Sequence, residues 1–536
     1  MSAASPPHFH VKPCDPRKKD PYSMTAMFKT TIFKTGADLR SRAAAVGLAG
    51  LLALSACDKG PDQAEVAAQL KGDVEAQLKT LEGSAGPKTI SHTAVTVTPV
   101  DKERYQIAIE GLKFQPSAEG YLDIGTVSYV AIPKDEQSYE VSHLKVGPEI
   151  PFKGADGKQT GKLTLTTKSF YGLWSKELNA FLKANGEFAD LSATDDKGGD
   201  VRLGNMKFSG EMQDKGGGLF DTLGTVTLAE LSAKEDNSDG VFTIKETRLD
   251  GKYDAMKVKD YQAAMQKYQQ LVVKQAAATG ADGQAPALTA EEQTALTDAV
   301  AQMAAAIKGG DFKLAFNGVG YTEAGQTPFA LGQLRLGTTF DGINQDKANL
   351  NFEVAHQGLV VNSPEARGAL AKGILPKDGN LGLKVTDIPS KDLVKVLADN
   401  LPGMMSADST MAEANAMAML VALQAVLQTS GAKIEVTPSA LTADVTEVKA
   451  DGNFSISPQA MMGIAGALNV AWTGLDEVMA LAQANSVEPN AMDVSSAVGM
   501  LMSMAKRETG ADGKPVDKFL IEVKETGEFT VNGKPM

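Results

Sequence analysis

Cysteine and histidine are the scarcest reactive residues in this chain of 536 residues. It has only two cysteines, Cys14 and Cys57, which are too few for a cysteine-rich metal site. Only His92, His143 and His356 lie beyond residue 57, and none of them stands in an HExxH motif or in the paired spacing of a zinc site. The sequence therefore gives no support to zinc or thiol chemistry, and we predict neither a catalytic residue nor a cofactor.

Positive charge is also in deficit. The chain has 53 Lys and Arg against 66 Asp and Glu, for a formal net charge of −13. Residues 1–56 hold eight basic and three acidic residues, so the chain from Cys57 onwards carries −18. Nucleic-acid binding needs clustered Lys and Arg that displace counterions from phosphates, and no such cluster is present. We therefore predict no nucleic-acid partner and no electrostatic docking to anionic lipid.

No apolar run after the first 58 residues approaches the roughly 20 residues of a transmembrane helix. The most concentrated apolar stretch is residues 48–58, which is short and ends in small residues followed by Cys57. Lys29, Lys34, Arg40 and Arg42 precede it. A basic flank, a short apolar core and small residues in that order are typical of a secretory signal peptide.

Residues 54–57, Leu-Ser-Ala-Cys, resemble the lipobox of bacterial lipoproteins. The resemblance implies that residues 27–56 are a signal peptide, that Cys57 becomes the acylated first residue, and that its acyl chains anchor the protein on the periplasmic side of the cell envelope. With Cys14 removed, no disulfide within the chain is possible. Asp58 resembles the retention signal of enteric bacteria and favours the inner membrane over the outer. The alternatives are an uncleaved membrane anchor and an apolar helix of a globular domain.

Residues 1–26 are Pro-rich, polar and without a periodic pattern, and a signal peptide should begin the protein. We therefore expect this segment to be untranslated or disordered, with the true start at Met24 or Met27. Residues 57–87 are predicted as a helical tether, because Val66, Leu70 and equivalent positions recur every four residues. We expect either that this apolar stripe packs on the body of the protein or that the helix serves as a spacer between the body and the membrane.

Two further regions follow. Residues 88–285 alternate apolar and polar positions between turn clusters, which predicts a β-rich domain ending in a helix. Within it, the aromatic residues between Phe170 and Leu182 suggest an interrupting helix. Residues 286–536 are predicted as an α+β domain, opened by a helix with a capping box at Thr289 and Glu292.

The last third repeats two patterns. A strand runs into a helix at residues 381–400 and again at 468–484, and helices ending near residues 432 and 511 each precede two strands. The two hairpins are expected to turn at Asp451 and Gly452, and at Gly527. The predicted fold class is α+β, with a long curved antiparallel sheet or sheets, amphipathic helices packed on the concave face, and two similar halves.

One segment has the spacing of a calcium loop. Glu235, Asn237, Asp239 and Glu246 place oxygen donors around a turn at Gly240. The first donor is Glu where such loops use the shorter Asp, and both flanks have the pattern of strands. The favoured alternative is a hairpin turn.

Methionine is concentrated near the end of the chain, with 13 of 21 beyond residue 403. Flexible thioethers suit surfaces that adapt to apolar ligands, which makes Met417, Met419, Met500 and Met504 candidates for an apolar groove. The competing interpretation is that these methionines fill a core, as their helical spacing also allows.

The junctions at residues 380–389 and 474–475 and the terminal hairpin at 529–535 resemble YdgA-like and AsmA-like envelope families of proteobacteria. The resemblance covers about residues 310–536, with a weaker similarity at 88–275. It implies attachment at the inner membrane, no assigned catalytic site and, from the long sheets of AsmA-like proteins, a role in handling lipid. The chain departs from these families in using a cysteine anchor and in lacking a long uninterrupted series of strands.

Three functions are therefore compared. The first is a non-enzymatic envelope lipoprotein that binds lipid or another apolar ligand. The second is a structural or assembly lipoprotein that binds other envelope proteins. The third, an envelope hydrolase, has the least support, and a buried carboxylate or a Ser–His contact would favour it.

Overall fold

The computed structural model describes residues 63–84, 90–117, 120–135, 137–196, 198–234, 239–277, 288–362, 368–404, 409–460, 463–486, 491–511 and 513–536. The predictions for residues 1–26, for the signal peptide and for Cys57 lie outside these residues. The proposed helical tether is described only from Gln63 to Ser84.

The described helices are α1 (Gln63–Ser84), α2 (Val258–Ala277), α3 (Ala290–Ala305), α4 (Ala369–Ile374), α5 (Ser390–Met404), α6 (Ser409–Ser430), α7 (Leu475–Ala484) and α8 (Ala491–Met504).

The described strands are β1 (Ile90–Ser91), β2 (Ala94–Pro99), β3 (Tyr105–Ser117), β4 (Gly120–Pro133), β5 (Ser138–Lys145), β6 (Glu149–Gly154), β7 (Gln159–Ser175), β8 (Ala180–Asp195), β9 (Asp200–Gly216), β10 (Leu219–Lys234), β11 (Val241–Lys257), β12 (Gly309–Glu323), β13 (Gln326–Asp341), β14 (Lys347–Val361), β15 (Asp378–Pro389), β16 (Lys433–Thr442), β17 (Glu447–Ile456), β18 (Ile464–Thr473), β19 (Lys506–Thr509), β20 (Pro515–Val523), β21 (Phe529–Val531) and β22 (Lys534–Pro535).

All of these strands belong to one antiparallel sheet in which chain neighbours are usually also sheet neighbours. From β7 to β17 each strand pairs with the one before it and the one after it, and β18 pairs with β17 and β20. Strands β5 and β6 share the place between β4 and β7, and β19 and β21 share the far edge of β20. The prediction of a mostly antiparallel α+β protein is confirmed.

Helices interrupt this series at four places, between β11 and β12, β14 and β15, β15 and β16, and β18 and β19. Strands β2 to β11 follow one another with no helix among the described residues between them, so the expectation that a long uninterrupted series is lacking was wrong. The sheet also continues across the proposed boundary at 285/286, because β11 pairs with β12 from Val241–Thr322 to Asp254–Gly309. The division into domains stays a prediction.

The helix expected between Phe170 and Leu182 is not formed. Strands β7 and β8 occupy this segment and turn between Lys176 and Asn179. Phe170, Gly172 and Trp174 are buried while Tyr171 and Leu173 are half-buried, which is the two-residue period of a strand. The sequence prediction failed because aromatic residues were weighed above this alternation.

The repeated pattern of the last third is found only in part. Strand β15 does lead into α5, β18 leads into α7, and the chain turns at Gly527. Gly452, however, lies inside β17, and the hairpin turns between Ala443 and Thr446. Glycine is required at 452 because a Cβ atom there would overlap the backbone of Ala467 and Leu468. The second helix ends at Met504, so Arg507 lies in β19.

Helix α1 packs on the body through its predicted stripe. Val66, Leu70, Val74 and Leu78 are all buried, and α1 contacts β1 and β2. The side chain of Gln63 donates to the carbonyl oxygen of Asp101 at 2.8 Å, which ties the start of the helix to the turn between β2 and β3. The structure therefore supports packing on the body over a free-standing spacer.

The predicted capping box of α3 is present. The Thr289 hydroxyl accepts from the Glu292 amide at 3.2 Å, and the Glu292 carboxylate accepts from the Thr289 amide at 2.9 Å. Lys274 of α2 also pairs with Glu292, at 2.5 Å. These contacts lower the pKa of Glu292 to about 2 and join α2 to α3.

A hydrophobic core forms near the C-terminal end of the chain. Leu475 and Val478 of α7, Val498 of α8 and Phe519 of β20 form its buried centre. The Asp517 carboxylate, only 2% exposed, accepts two hydrogen bonds from Arg507 at 2.8 and 2.9 Å. The two hydrogen bonds from Arg507 therefore account for the burial of the Asp517 carboxylate.

Leu70→Ala tests the packing of α1. We expect the change to lower the free energy of unfolding by about 2–5 kcal/mol, because it leaves a cavity under a fully buried leucine. Urea unfolding followed by circular dichroism measures this effect. Lys79→Ala, on the exposed side of the same helix, is the matched control. Equal stability of the two variants would show that α1 does not pack on the body.

Candidate functional site

The most distinctive surface of the described chain is one face of the sheet between β7 and β15. Residues paired across neighbouring strands point to the same face, so the pairing register defines rows that run across the strands. One row consists of apolar residues and glycine: Phe170, Gly186, Phe208, Val226, Leu249, Leu314, Leu336, Val354 and Leu381. The row contains no charged side chain over nine strands.

The next row on the same face repeats this composition. It consists of Thr167, Phe188, Met206, Leu228, Thr247, Phe316, Leu334, His356 and Gly379. The row between these two, on the other face, is different: it contains Glu187, Lys207, Arg248 and Arg335. The sheet therefore separates an uncharged face from a charged one, and we call the uncharged one the apolar face.

Aromatic rings pack on the apolar face over glycine. Phe208 lies 6.2 Å from Phe170 and 6.3 Å from Phe188 between ring centroids, and Gly186 stands between Phe170 and Phe208 in the row. A Cβ atom at Gly186 would lie 2.6 Å from the Phe208 ring, so this glycine makes room for it. Phe312 likewise contacts Tyr253 and Phe340, at 5.1 and 6.1 Å.

A row of left-handed residues crosses the apolar face. Asp190, Glu230, Gly318 and Gly358 have φ values of 55°, 60°, 62° and 66° and lie on β8, β10, β12 and β14. On the strands between them, Gly204, Lys245 and Gly332 stand opposite, and the ladder skips this level on every strand. We call this line of seven residues the left-handed row.

The apolar pattern changes phase at the left-handed row. On β10, for example, Val226 and Leu228 are apolar before Glu230, whereas Leu231 and Ala233 are apolar after it. Beyond the row, Leu191, Leu203, Leu231, Ile244, Val319, Leu331 and Leu359 form another uncharged line. A left-handed residue interrupts the alternation of side chains and re-aims those that follow. The phase change in the sequence therefore coincides with the left-handed row.

Exposure on the apolar face differs between strands, and Leu314, Leu336 and Val354 are half-buried. Phe170, Phe188 and Met206 are buried, whereas Leu249 and Leu381 are 43% and 45% exposed. The helices meet the sheet chiefly at β1, β2, β11, β14, β15 and β17. Helix α2 packs near the end of β11 that leads into it, where Val258 and Tyr261 form a cluster with Phe220 and Met256.

The calcium prediction fits the structure poorly. Glu235 and Asn237 lie outside the described residues, while Lys234 pairs with Val241 across a hairpin. Glu246 stands five residues along β11, about 17 Å from Val241. Calcium ligands must converge to within about 2.6 Å of one ion, so Glu246 is not placed to join a loop that contains Asp239. Its carboxylate instead accepts from Asn317 at 3.0 Å, and the favoured alternative of a hairpin is what the pairing shows.

The candidate methionines do not line one groove. Met417 of α6 and Met500 of α8 are 62% and 57% exposed, while Met419 is half-buried. Met504 is half-buried against the C-terminal core, which fits the core interpretation. Helix α6 contacts α5, β15 and β17, whereas α8 packs on α7, so the contacts place the two pairs in different parts of the structure. The sequence analysis did not predict the apolar face, because the rows of apolar residues across neighbouring strands can be recognised only when the register of strand pairing is known.

The remaining polar groups offer little for catalysis. The hydroxyl of Ser142 lies 2.9 Å from Nδ1 of His143, but the residues are chain neighbours, and no described carboxylate is hydrogen-bonded to this ring. Nε2 of His356 lies 3.4 Å from the carbonyl oxygen of Pro376. No group of three His, Cys, Asp or Glu side chains within the described ranges is arranged to hold a metal ion.

No known protein family, curated protein or solved structure matches this chain. Among the helices of the described residues, none is both long and apolar enough to cross a membrane.

Gly318→Ala tests the left-handed row. Alanine at φ +62° is strained by about 1–2 kcal/mol, and its Cβ would lie 2.6 Å from the Lys245 side chain, so we expect a lower free energy of unfolding. The matched control is Gly337→Ala on the adjacent strand, where the nearest atom is 3.7 Å away and φ is not left-handed. Chemical denaturation compares the two. If both alanines are tolerated equally, the row does not depend on left-handed backbone.

Proposed function

We propose that this chain is a non-enzymatic lipoprotein of the bacterial cell envelope. In this proposal, acylated Cys57 anchors it on the periplasmic side of a membrane, with the inner membrane favoured, and the apolar face of its sheet binds lipid or another apolar ligand. The proposed sheet is curved, with helices on its concave side, and the two similar halves and the resemblance to YdgA-like and AsmA-like families remain part of the same hypothesis.

The order of residues around Cys57 supports the anchor. A basic flank, a short apolar run and the sequence Leu-Ser-Ala-Cys precede a chain that begins its described structure at Gln63. Two or more acyl chains hold a protein stably on a bilayer, so no spanning helix and no basic surface are needed.

The uncharged rows of the apolar face carry the proposal of an apolar ligand. A sheet surface exposed to water normally alternates apolar with polar residues and places polar side chains outward. Here the two rows that define the face have no Asp, Glu, Lys or Arg, although Leu249 and Leu381 are more than two-fifths exposed. Exposed apolar surface of this extent marks an interaction site, and its lack of charge fits acyl chains.

The alternative of a structural or assembly lipoprotein uses the same surfaces for a protein partner. Its specific support is the exposed apolar side of α6, at Met417, Leu420 and Val421. A hydrolase is least supported: the Ser142–His143 contact lacks a visible orienting acid, and the buried carboxylate of Asp517 is paired with Arg507.

Cys57→Ser tests the anchor. We expect the wild-type protein to incorporate an alkyne-labelled fatty acid and to fractionate with membranes, while the variant loses the label because a serine hydroxyl lacks the thiol nucleophile. Cys14→Ser is the matched control and should behave as wild type. Equal labelling of wild type and Cys57→Ser would contradict acylation at this residue.

Leu249→Gln tests the apolar face. Native mass spectrometry and lipid extraction of the purified protein should find bound lipid with wild type and at least severalfold less with the variant, because the amide places an unpaired polar group among acyl chains. Arg248→Gln, one residue away on the charged face, is the matched control. A ligand-free wild type, or equal loss in both variants, would favour the structural alternative.

A further inference from the structure

Helix α6 carries three exposed large apolar side chains, more than any other described helix. Met417, Leu420 and Val421 lie at i, i+3 and i+4, so they share one side of the helix, and they are 62%, 56% and 63% exposed. No residue from Ala414 to Gly431 is charged. Leu397 on the neighbouring helix α5 is also 43% exposed.

This patch is attached to a particular end of the sheet. Helix α5 follows the last residue of β15, and α6 precedes β16 at the same end, where Thr386 pairs with Lys433. Helices α2 and α3 leave and rejoin the strands at that end too, between Lys257 and Gly309. The Thr297 hydroxyl of α3 donates to the Ala398 carbonyl of α5 at 3.1 Å, which links the helices into one layer. We call this end of the sheet, where α2, α3, α5 and α6 join the strands, the helical end.

The start of the described chain lies at the same end. Following the pairing from β11 back to β3 places the turn at Val100–Arg104 on the helical end, and Gln63 is hydrogen-bonded to Asp101 in that turn. Only residues 58–62 separate Gln63 from Cys57, so a fully extended link reaches about 20 Å. An acyl anchor at Cys57, which is the proposed function on which this step rests, therefore holds the β2–β3 turn, at the same end of the sheet as α6, within about 20 Å of the bilayer.

Charge selects the occupant of the patch. The chain beyond residue 56 carries a net charge of −18 and is repelled as a whole by anionic lipid headgroups, whereas α6 has no charged residue from Ala414 to Gly431 that would oppose contact with a bilayer. We infer that the helical end rests on the membrane, with the Met417, Leu420 and Val421 side of α6 entering the boundary between headgroups and acyl chains. The partner surface is the bilayer to which the protein is tethered.

Single-cysteine labelling of the acylated full-length protein in phosphatidylcholine vesicles tests this inference. Met417→Cys and Leu441→Cys are labelled with an environment-sensitive nitrobenzoxadiazole probe, and acylated Cys57 is not a free thiol. Leu441 is the matched control, because it is 46% exposed but lies near the end of β16, away from the helical end. An interfacial helix buries its apolar side about 5–10 Å deep, so brominated phosphatidylcholine should quench the Met417 probe about twofold and leave the Leu441 probe nearly unchanged.

The other outcomes overturn the inference in distinguishable ways. If neither probe is quenched while the protein still floats with vesicles, the orientation is wrong and the anchor stands. Equal quenching of both probes excludes a preferred helical end. Thiol cross-linking between two Met417→Cys chains without lipid quenching identifies a second copy as the occupant. If the protein neither floats nor carries acyl chains, the proposed function fails together with the inference.

Discussion

The structure depends on the pairing of each antiparallel strand with its neighbours along the chain. A strand in the middle of such a series has every backbone donor and acceptor available to two ladders, so long strands of 15–17 residues are stabilised without a second layer over their whole length. The same pairing fixes which side chains lie beside one another. The separation of a charged and an uncharged face from β7 to β15 is a consequence of this register.

The left-handed row lies at the level where the apolar pattern of strands β8 to β14 changes phase. A one-residue phase change in a strand normally moves its apolar residues to the opposite face. Here the change occurs at one level on β8 to β14, and on alternate strands it coincides with a residue of positive φ. Asp190 and Glu230 adopt this conformation although they are not glycine, at a cost of about 1–2 kcal/mol each. Backbone strain is therefore distributed along the line at which the apolar pattern of the strands changes phase.

That surface and the helical end suggest a division of work within the protein. In the proposed function the apolar face binds a ligand, whereas the helical end carries both the start of α1 and the exposed side of α6 at the same end of the sheet. Neither feature requires a reactive side chain. The buried carboxylate of Asp517 is paired with Arg507, which explains its burial.

Local features were well determined by the sequence alone. The stripe of Leu70 and Leu78 predicted α1, Thr289 and Glu292 predicted a cap that is present, and two-residue alternation predicted most strands. These features depend on neighbouring residues in the chain and on a fixed period of apolar residues, so they can be predicted without knowledge of tertiary contacts. The aromatic segment after Phe170 was misjudged because residue type was allowed to outweigh that period.

Only the tertiary structure decided what the alternating strands build. Leu249 becomes part of a row with Val226 and Leu314 because of register, which no single strand specifies. Gly452 was taken for a turn, yet it is a strand residue required by the closeness of β18. Met417 and Met504 both lie on methionine-rich helices, but packing leaves Met417 exposed and half-buries Met504 against the C-terminal core. The sequence by itself determined period, caps and the candidate anchor, while the long-range pairing of backbones decided which apolar residues meet and which remain exposed.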